Sequence, residues 1–205
     1  MNGFRREHWF LIGFNALYIV GFGAYYLLQH NLEFLWYVAV MVFFFVLLVM
    51  LMREQAEFPL ALLWGLSIWG LLHMAGGGIQ IGDHVLYAQI LLPLIDQGDL
   101  ILLKYDQVVH AFGFGVATFL SHHLMVRYVK PLNKGFAYFL LIALAGTGFG
   151  VLNEIVEFIA VLVVHDTGVG GYYNIALDLV FNTVGASIAA YLIYRSTKKA
   201  LPPVV

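Results

Sequence analysis

The sequence predicts an all-α fold, a polytopic transmembrane helix bundle of six spans forming a single integral membrane domain over residues 1–205. Three observations predict it. Hydrophobic residues make up 62% of the chain and charged residues only 11%, against about 25% charged in a soluble domain. The ten basic and twelve acidic residues gather in short stretches, separated by apolar runs of about 17 residues or more, the length that crosses a bilayer. Nine of the ten basic residues also fall on one side of an even number of spans, as a membrane topology requires.

The first span runs from about Trp9 to Leu28, behind Arg5 and Arg6. Its apolar run is too long for a signal-peptide core and no small-x-small cleavage site precedes His30, so it is expected to stay in the mature chain. The second runs from Phe34 to Met52, closed by Arg53, and the third from Phe58 to Met74. The connection over residues 76–104 mixes Gly76 to Gly78, Asp83, His84, Pro93, Asp96 and Asp99 with the apolar stretch Val85 to Ile95. It is too short and interrupted to span, and reads as an interfacial or re-entrant element of the outer face or as an amphipathic surface helix with two turns. The fourth span covers Tyr105 to Val126, before Arg127, Lys130, Pro131 and Lys134. The fifth, Gly135 to Val164, would be about 45 Å long against roughly 30 Å of hydrocarbon, so it must tilt, protrude or break. Gly146, Gly148 and Gly150 mark a break or a close helix contact. His165 and Asp166 follow it as loop residues, and the sixth span covers Tyr173 to Tyr194 before Arg195, Lys198 and Lys199.

Lys104 is the one basic residue on the other side, so the positive-inside rule puts both termini in the cytoplasm and the chain in the cytoplasmic (inner) membrane as a multi-pass protein with the lipid bilayer as its surroundings. A formal net charge of −2 gives nucleic acid no basic face to meet. The absence of cysteine excludes disulfides, thiolate metal sites and thiol nucleophiles. There is no phosphate-cradling glycine loop, dinucleotide fingerprint or nucleophile elbow.

The chemistry is expected where ionisable residues interrupt apolar helices, because an ionised carboxylate at mid-bilayer costs near 3 kcal/mol unless paired, protonated or hydrated. Asp106 and His110 are four apart, Glu154 and Glu157 three apart, and Asp178 and Asn182 four apart with Gly185 beyond, so each pair shares one helical face. With the topology above, all three pairs, and His73 near the end of span three, fall within about 15 Å of the outer ends of their spans.

An Asp four residues before a His at a span start (Asp106, His110), an acidic pair in the next span (Glu154, Glu157) and Asp-x-x-x-Asn-x-x-Gly in the last (Asp178, Asn182, Gly185) resemble the VanZ-like membrane protein pattern. His73 through the glycines to Tyr87, the Tyr105-Asp106 pair and Asn153 to Phe158 are similar to the YjdF-type inner membrane proteins. Together the two patterns cover about residues 73 to 194. The VanZ-like resemblance implies a cell-envelope role, that family being associated with resistance to glycopeptides that bind envelope precursors; neither resemblance supplies a reaction.

Three readings of the cluster stay open. In the first, a divalent metal held by some of His73, His110, Asp106, Glu154, Glu157 and Asp178 activates water against a phosphate or ester of a lipid-linked envelope substrate. Asp106, His110, Glu154, Glu157 and Asp178 are then the candidate catalytic residues, and Asn153, Asn182 and Tyr105 the candidate substrate contacts. In the second, the same acids relay protons or ions in a transporter. In the third, they are a hydrogen-bonded clamp between helices in a non-catalytic partner protein.

Overall fold

A computed structural model describes residues 5–30, 32–53, 58–97, 100–129, 134–163 and 171–199. Asp99, Lys130, His165 and Asp166 lie outside the described residues. The six apolar runs form six helices: α1 (Arg6–Leu28), α2 (Leu32–Arg53), α3 (Leu60–Gly78), α4 (Tyr105–Tyr128), α5 (Phe136–Val163) and α6 (Tyr172–Lys199). Among the described residues α1, α3, α4, α5 and α6 are long and apolar enough to cross a membrane, while α2 contributes a shorter apolar stretch, Leu35–Leu47. The helices are polar inward and apolar outward. On α5, Leu141, Leu144, Leu152 and Ile155 are exposed while Glu154 and Glu157 are buried, the reverse of a water-soluble helix and the arrangement a lipid solvent selects.

One expectation needs correction. The 76–104 connection is not helical, so the fold is not wholly α. Gly76 to Gly78 belong to α3, and beyond them two antiparallel hairpins follow: β1 (Gln80–Ile81) with β2 (His84–Val85), and β3 (Ile90–Gln97) with β4 (Leu100–Lys104), joined by a 3₁₀ turn at Leu86–Ala88. The first hairpin turns at Gly82, whose φ of 63° is the positive value that tight hairpin loops demand and glycine supplies without strain. In the second, register runs Gln97↔Leu100, Asp96↔Ile101, Ile95↔Leu102 and then shifts before Ile90↔Lys104. The irregularity spans Pro93, which has no N–H to give a ladder.

Of the two alternatives for the glycines of the fifth span, the close contact holds: α5 is unbroken through Gly146, Gly148 and Gly150. Two of these glycines are close contacts instead: a Cβ on Gly146 would strike Thr118 of α4, and one on Gly150 would come within 2.5 Å of the Asn182 amide of α6. The same device operates where α4 meets α6, the most extensive helix pair in the molecule. A Cβ on Gly185 would overlap the backbone carbonyl of Ala111, so the α6 backbone lies directly on that of α4. Small residues permit this approach, which larger ones would forbid.

The hairpins are fastened to the bundle by hydrogen bonds. Leu86 N donates to Ile79 O (2.8 Å) and Tyr105 N to Gln89 O (2.9 Å). The Tyr87 hydroxyl donates to His73 O (2.8 Å) and that of Tyr105 to Leu72 O (3.1 Å). Gln107 closes the start of α4, accepting from Lys104 N (3.1 Å) and donating to Ile101 O (2.9 Å). Tyr87 is the peg of this cover. Its ring fills the notch that Gly76 leaves and joins the buried cluster of Tyr18, Tyr26, Tyr37 and Met74.

Candidate functional site

The close α4–α6 crossing sets His110 beside Asn182, and the α5 contact at Gly150 brings Glu154 and Glu157 to the same place. His110 is 2% exposed and is surrounded from three helices. Its Nδ1 lies 3.0 Å from Asn182 Oδ1 and 3.4 Å from Glu154 Oε1. Its Nε2 lies 3.4 Å from Asp106 Oδ1 and 4.0 Å from Glu157 Oε1. Because the Asn182 amide nitrogen is turned toward Glu154 Oε1 (3.5 Å), its carbonyl oxygen faces His110 and must accept from Nδ1–H. That leaves Nε2 toward the Asp106 and Glu157 carboxyls, where it can donate to a carboxylate or, deprotonated, ligate a cation.

The remaining contacts hold the acids in position. Asn153 Nδ2 donates to Glu157 Oε1 (2.8 Å) one turn away on α5. Asn174 Nδ2 donates to Asp178 Oδ2 (2.6 Å) and reaches Asp106 Oδ2 (3.5 Å), linking α6 to α4. Asp106, Glu154, Glu157 and Asp178 are all buried, Asp178 completely. Two of their oxygens, Glu154 Oε2 and Asp178 Oδ1, are buried with no hydrogen-bond partner. Buried acceptors are nearly always satisfied, and one left alone costs about 1–3 kcal/mol, so two in a single cluster call for something to occupy them.

The donor atoms are close enough for a metal. One atom each from Asp106, His110 and Asp178, and one each from His110, Glu154 and Glu157, lie within 4.8 Å of one another. Carboxylate oxygens with one imidazole suit Mg, Mn, Zn or Fe rather than soft, thiolate-seeking ions.

The sequence-derived residues sort as follows. Asp106, His110, Glu154, Glu157, Asp178 and Asn182 come together, from α4, α5 and α6. Asn153 is attached to that group through Glu157. Tyr105 is adjacent in sequence, but its hydroxyl is committed to Leu72 O, which leaves it bracing α3 against α4. His73, expected among the ligands, belongs to neither close donor set. It is boxed by the rings of Tyr37, Trp69 and Tyr87, with centroids 5.5, 5.9 and 5.6 Å away. Asn174 was missed, although it stands four residues before Asp178 as Asn182 stands four after, and that spacing is a signal the sequence carries. The cluster lies at the end of the bundle where β4 enters α4, beneath the hairpins.

No curated protein and no solved structure matches the chain. A family model does, over residues 10–199, nearly the whole length. The chain therefore belongs to the family described as "Predicted membrane protein (DUF2238)".

Proposed function

We propose that the protein is a six-span inner membrane protein of VanZ-like or YjdF type, with both termini in the cytoplasm, whose cluster in the outer half of the bilayer holds a divalent cation and acts on a phosphate or ester of a lipid-linked envelope molecule. The observation that carries this reading is the set of four buried carboxyls on three helices around one imidazole, two of them with unpartnered oxygens. Four carboxylates in an apolar bundle need compensating positive charge, and a cation supplies it where the unpartnered oxygens leave room for ligation. A bound cation lowers the pKa of water and stabilises charge on a phosphoryl or acyl oxygen. The chain's own contribution is to hold the carboxyls apart through Asn153, Asn174 and Asn182, to fix the imidazole through Asn182, and to exclude bulk water beneath the Tyr87 cover. The lipid-linked substrate follows from the membrane setting and from what the VanZ-like resemblance implies.

Metal analysis of the full chain purified in detergent tests it. Stoichiometric divalent metal, diminished in Glu154→Gln, is expected; a metal-free protein that also fails to take up Mn²⁺ overturns the reading. A second reading is favoured by one specific observation. His110 lies within 4.0 Å of carboxyl oxygens of Asp106, Glu154 and Glu157, a run of titratable groups of the form a proton relay takes. Metal-free protein with pH-driven ion or solute uptake in vesicles would select it.

A further inference from the structure

We infer that the cluster is built for two divalent cations rather than one, an inference that rests on the cation-binding reading above. Three features of the geometry converge on it. The donor groups fall into two sets that share His110, one with Asp106 and Asp178 and the other with Glu154 and Glu157. Each set contains one of the two buried oxygens without a hydrogen-bond partner, Asp178 Oδ1 in the first and Glu154 Oε2 in the second. An ion in each set gives each of these oxygens a partner.

Charge gives the second argument. Four carboxylates and one divalent cation leave two negative charges in a site whose members are at most 8% exposed. Two divalent cations beside a neutral imidazole bring the total to zero, removing the desolvation penalty that an unbalanced buried charge carries.

Ligand chemistry divides the cluster in a way that fits a pair. With Nδ1–H donated to Asn182, His110 has one lone pair, at Nε2, so it serves one ion only. Nε2 faces Asp106 and, at 4.0 Å, Glu157. The first ion therefore takes His110, Asp106 and Asp178. The second takes Glu154 and Glu157, with Glu157 placed between the two sets to bridge them. Carboxylate-bridged ions about 3.5–4 Å apart are the arrangement that clamps both the entering and the leaving oxygen of a displacement at phosphorus, so the paired site narrows the substrate class to phosphate esters or anhydrides of lipids.

The experiment loads the full-length protein in detergent with Mn²⁺, removes excess ion, and measures manganese per chain together with the electron paramagnetic resonance spectrum. Two Mn²⁺ per chain with a spin-coupled spectrum is the expected result, and Asp178→Asn and Glu154→Gln should each reduce it to one ion with an isolated six-line signal. One Mn²⁺ per chain, or two without coupling, in the unmodified protein overturns the pair and leaves the single-cation reading standing. No bound Mn²⁺ overturns both. The unmodified protein is decisive by itself, so the outcome does not depend on either variant folding.

Discussion

The crossing of α4 and α6 makes a sharp prediction, because the whole cluster depends on how closely two backbones approach. In Gly185→Ala the new methyl would overlap the Ala111 carbonyl oxygen, a backbone atom with no rotamer to escape into. Relieving that overlap, 1.9 Å to the oxygen, requires the helices to separate by about 1.4 Å, since carbon and oxygen surfaces meet at roughly 3.3 Å. The His110–Asn182 hydrogen bond, now 3.0 Å, would open to about 4 Å and cease to be one. Overpacking against an unyielding neighbour costs about 1–3 kcal/mol, and the lost buried hydrogen bond about 1 kcal/mol more. At 2–4 °C per kcal/mol for a chain of this size, the unfolding midpoint should fall by roughly 4–16 °C. Gly148→Ala provides the control. It lies on the neighbouring helix with nothing within 4 Å of the added methyl, and replacing a helical glycine gains about 0.5–1 kcal/mol, so its midpoint should stay level or rise by a few degrees. Thermal unfolding in one detergent, followed by tryptophan fluorescence, measures both. If Gly185→Ala melts within a degree of the unmodified protein, the helices are not in backbone contact and the site geometry built on that contact is wrong.

Two further predictions follow. Asn174→Ala removes the donor that fixes Asp178 and reaches Asp106; Mn²⁺ affinity measured by calorimetry should weaken by about 10–100-fold, as for other residues that orient metal ligands, and unchanged affinity would show that Asn174 positions nothing. Because the chain has no cysteine, single cysteines at Asp83, Lys134 and Lys198 report sidedness cleanly: Asp83→Cys should react with an impermeant maleimide only from outside and the other two only from the cytoplasm, and the reverse pattern would undo the topology.

What the sequence made legible follows from the strength of each physical signal. Long apolar runs placed all six helices within a few residues, because a helix that must satisfy its backbone in lipid cannot be short. The i,i+3 and i,i+4 spacings placed Asp106, His110, Glu154, Glu157, Asp178 and Asn182 on facing surfaces, because a carboxyl that is expensive in lipid has few directions in which to point. The hairpins were misread since Ile90 to Gln97 is apolar without alternation, a pattern that strand and buried helix share; the Gly82-Asp83 and Gly98-Asp99 pairs between the runs were the turn signals that would have decided it. The aromatic box around His73 was not legible because sequence gives depth along a helix but not which neighbours surround it, and the rings of Tyr37 and Tyr87 come from distant elements. Asn15 and Ser67, single polar residues within apolar runs, were passed over, although they meet across α1 and α3 at 2.7 Å.

That Asn15–Ser67 contact shows what holding helices together requires in this bundle, and the comparison separates a clamp from a site. Asn15 uses its amide nitrogen on Leu11 O (2.8 Å) and Ser67 Oγ (2.7 Å), and its carbonyl oxygen accepts from the Tyr18 hydroxyl (2.7 Å). No member carries charge. Polar contacts between membrane helices return about 0.6 kcal/mol each on average, whereas each ionised carboxylate at mid-bilayer costs about 3 kcal/mol, so four acids are a poor way to build a clamp and two unpartnered oxygens make them poorer. Neutralising an acid whose role is to bind a ligand should therefore stabilise the ligand-free protein. In metal-free buffer, Asp178→Asn and Glu154→Gln are expected to raise the unfolding midpoint by a few degrees, the gain of removing a buried acid that has an unpartnered oxygen being about 1–2 kcal/mol, while each lowers Mn²⁺ uptake by one ion. A clamp demands the opposite sign: losing an acceptor from a structural network costs about 1–3 kcal/mol and lowers the midpoint. A fall of several degrees in both variants would assign the cluster to helix packing and remove the reason for seeking a ligand there.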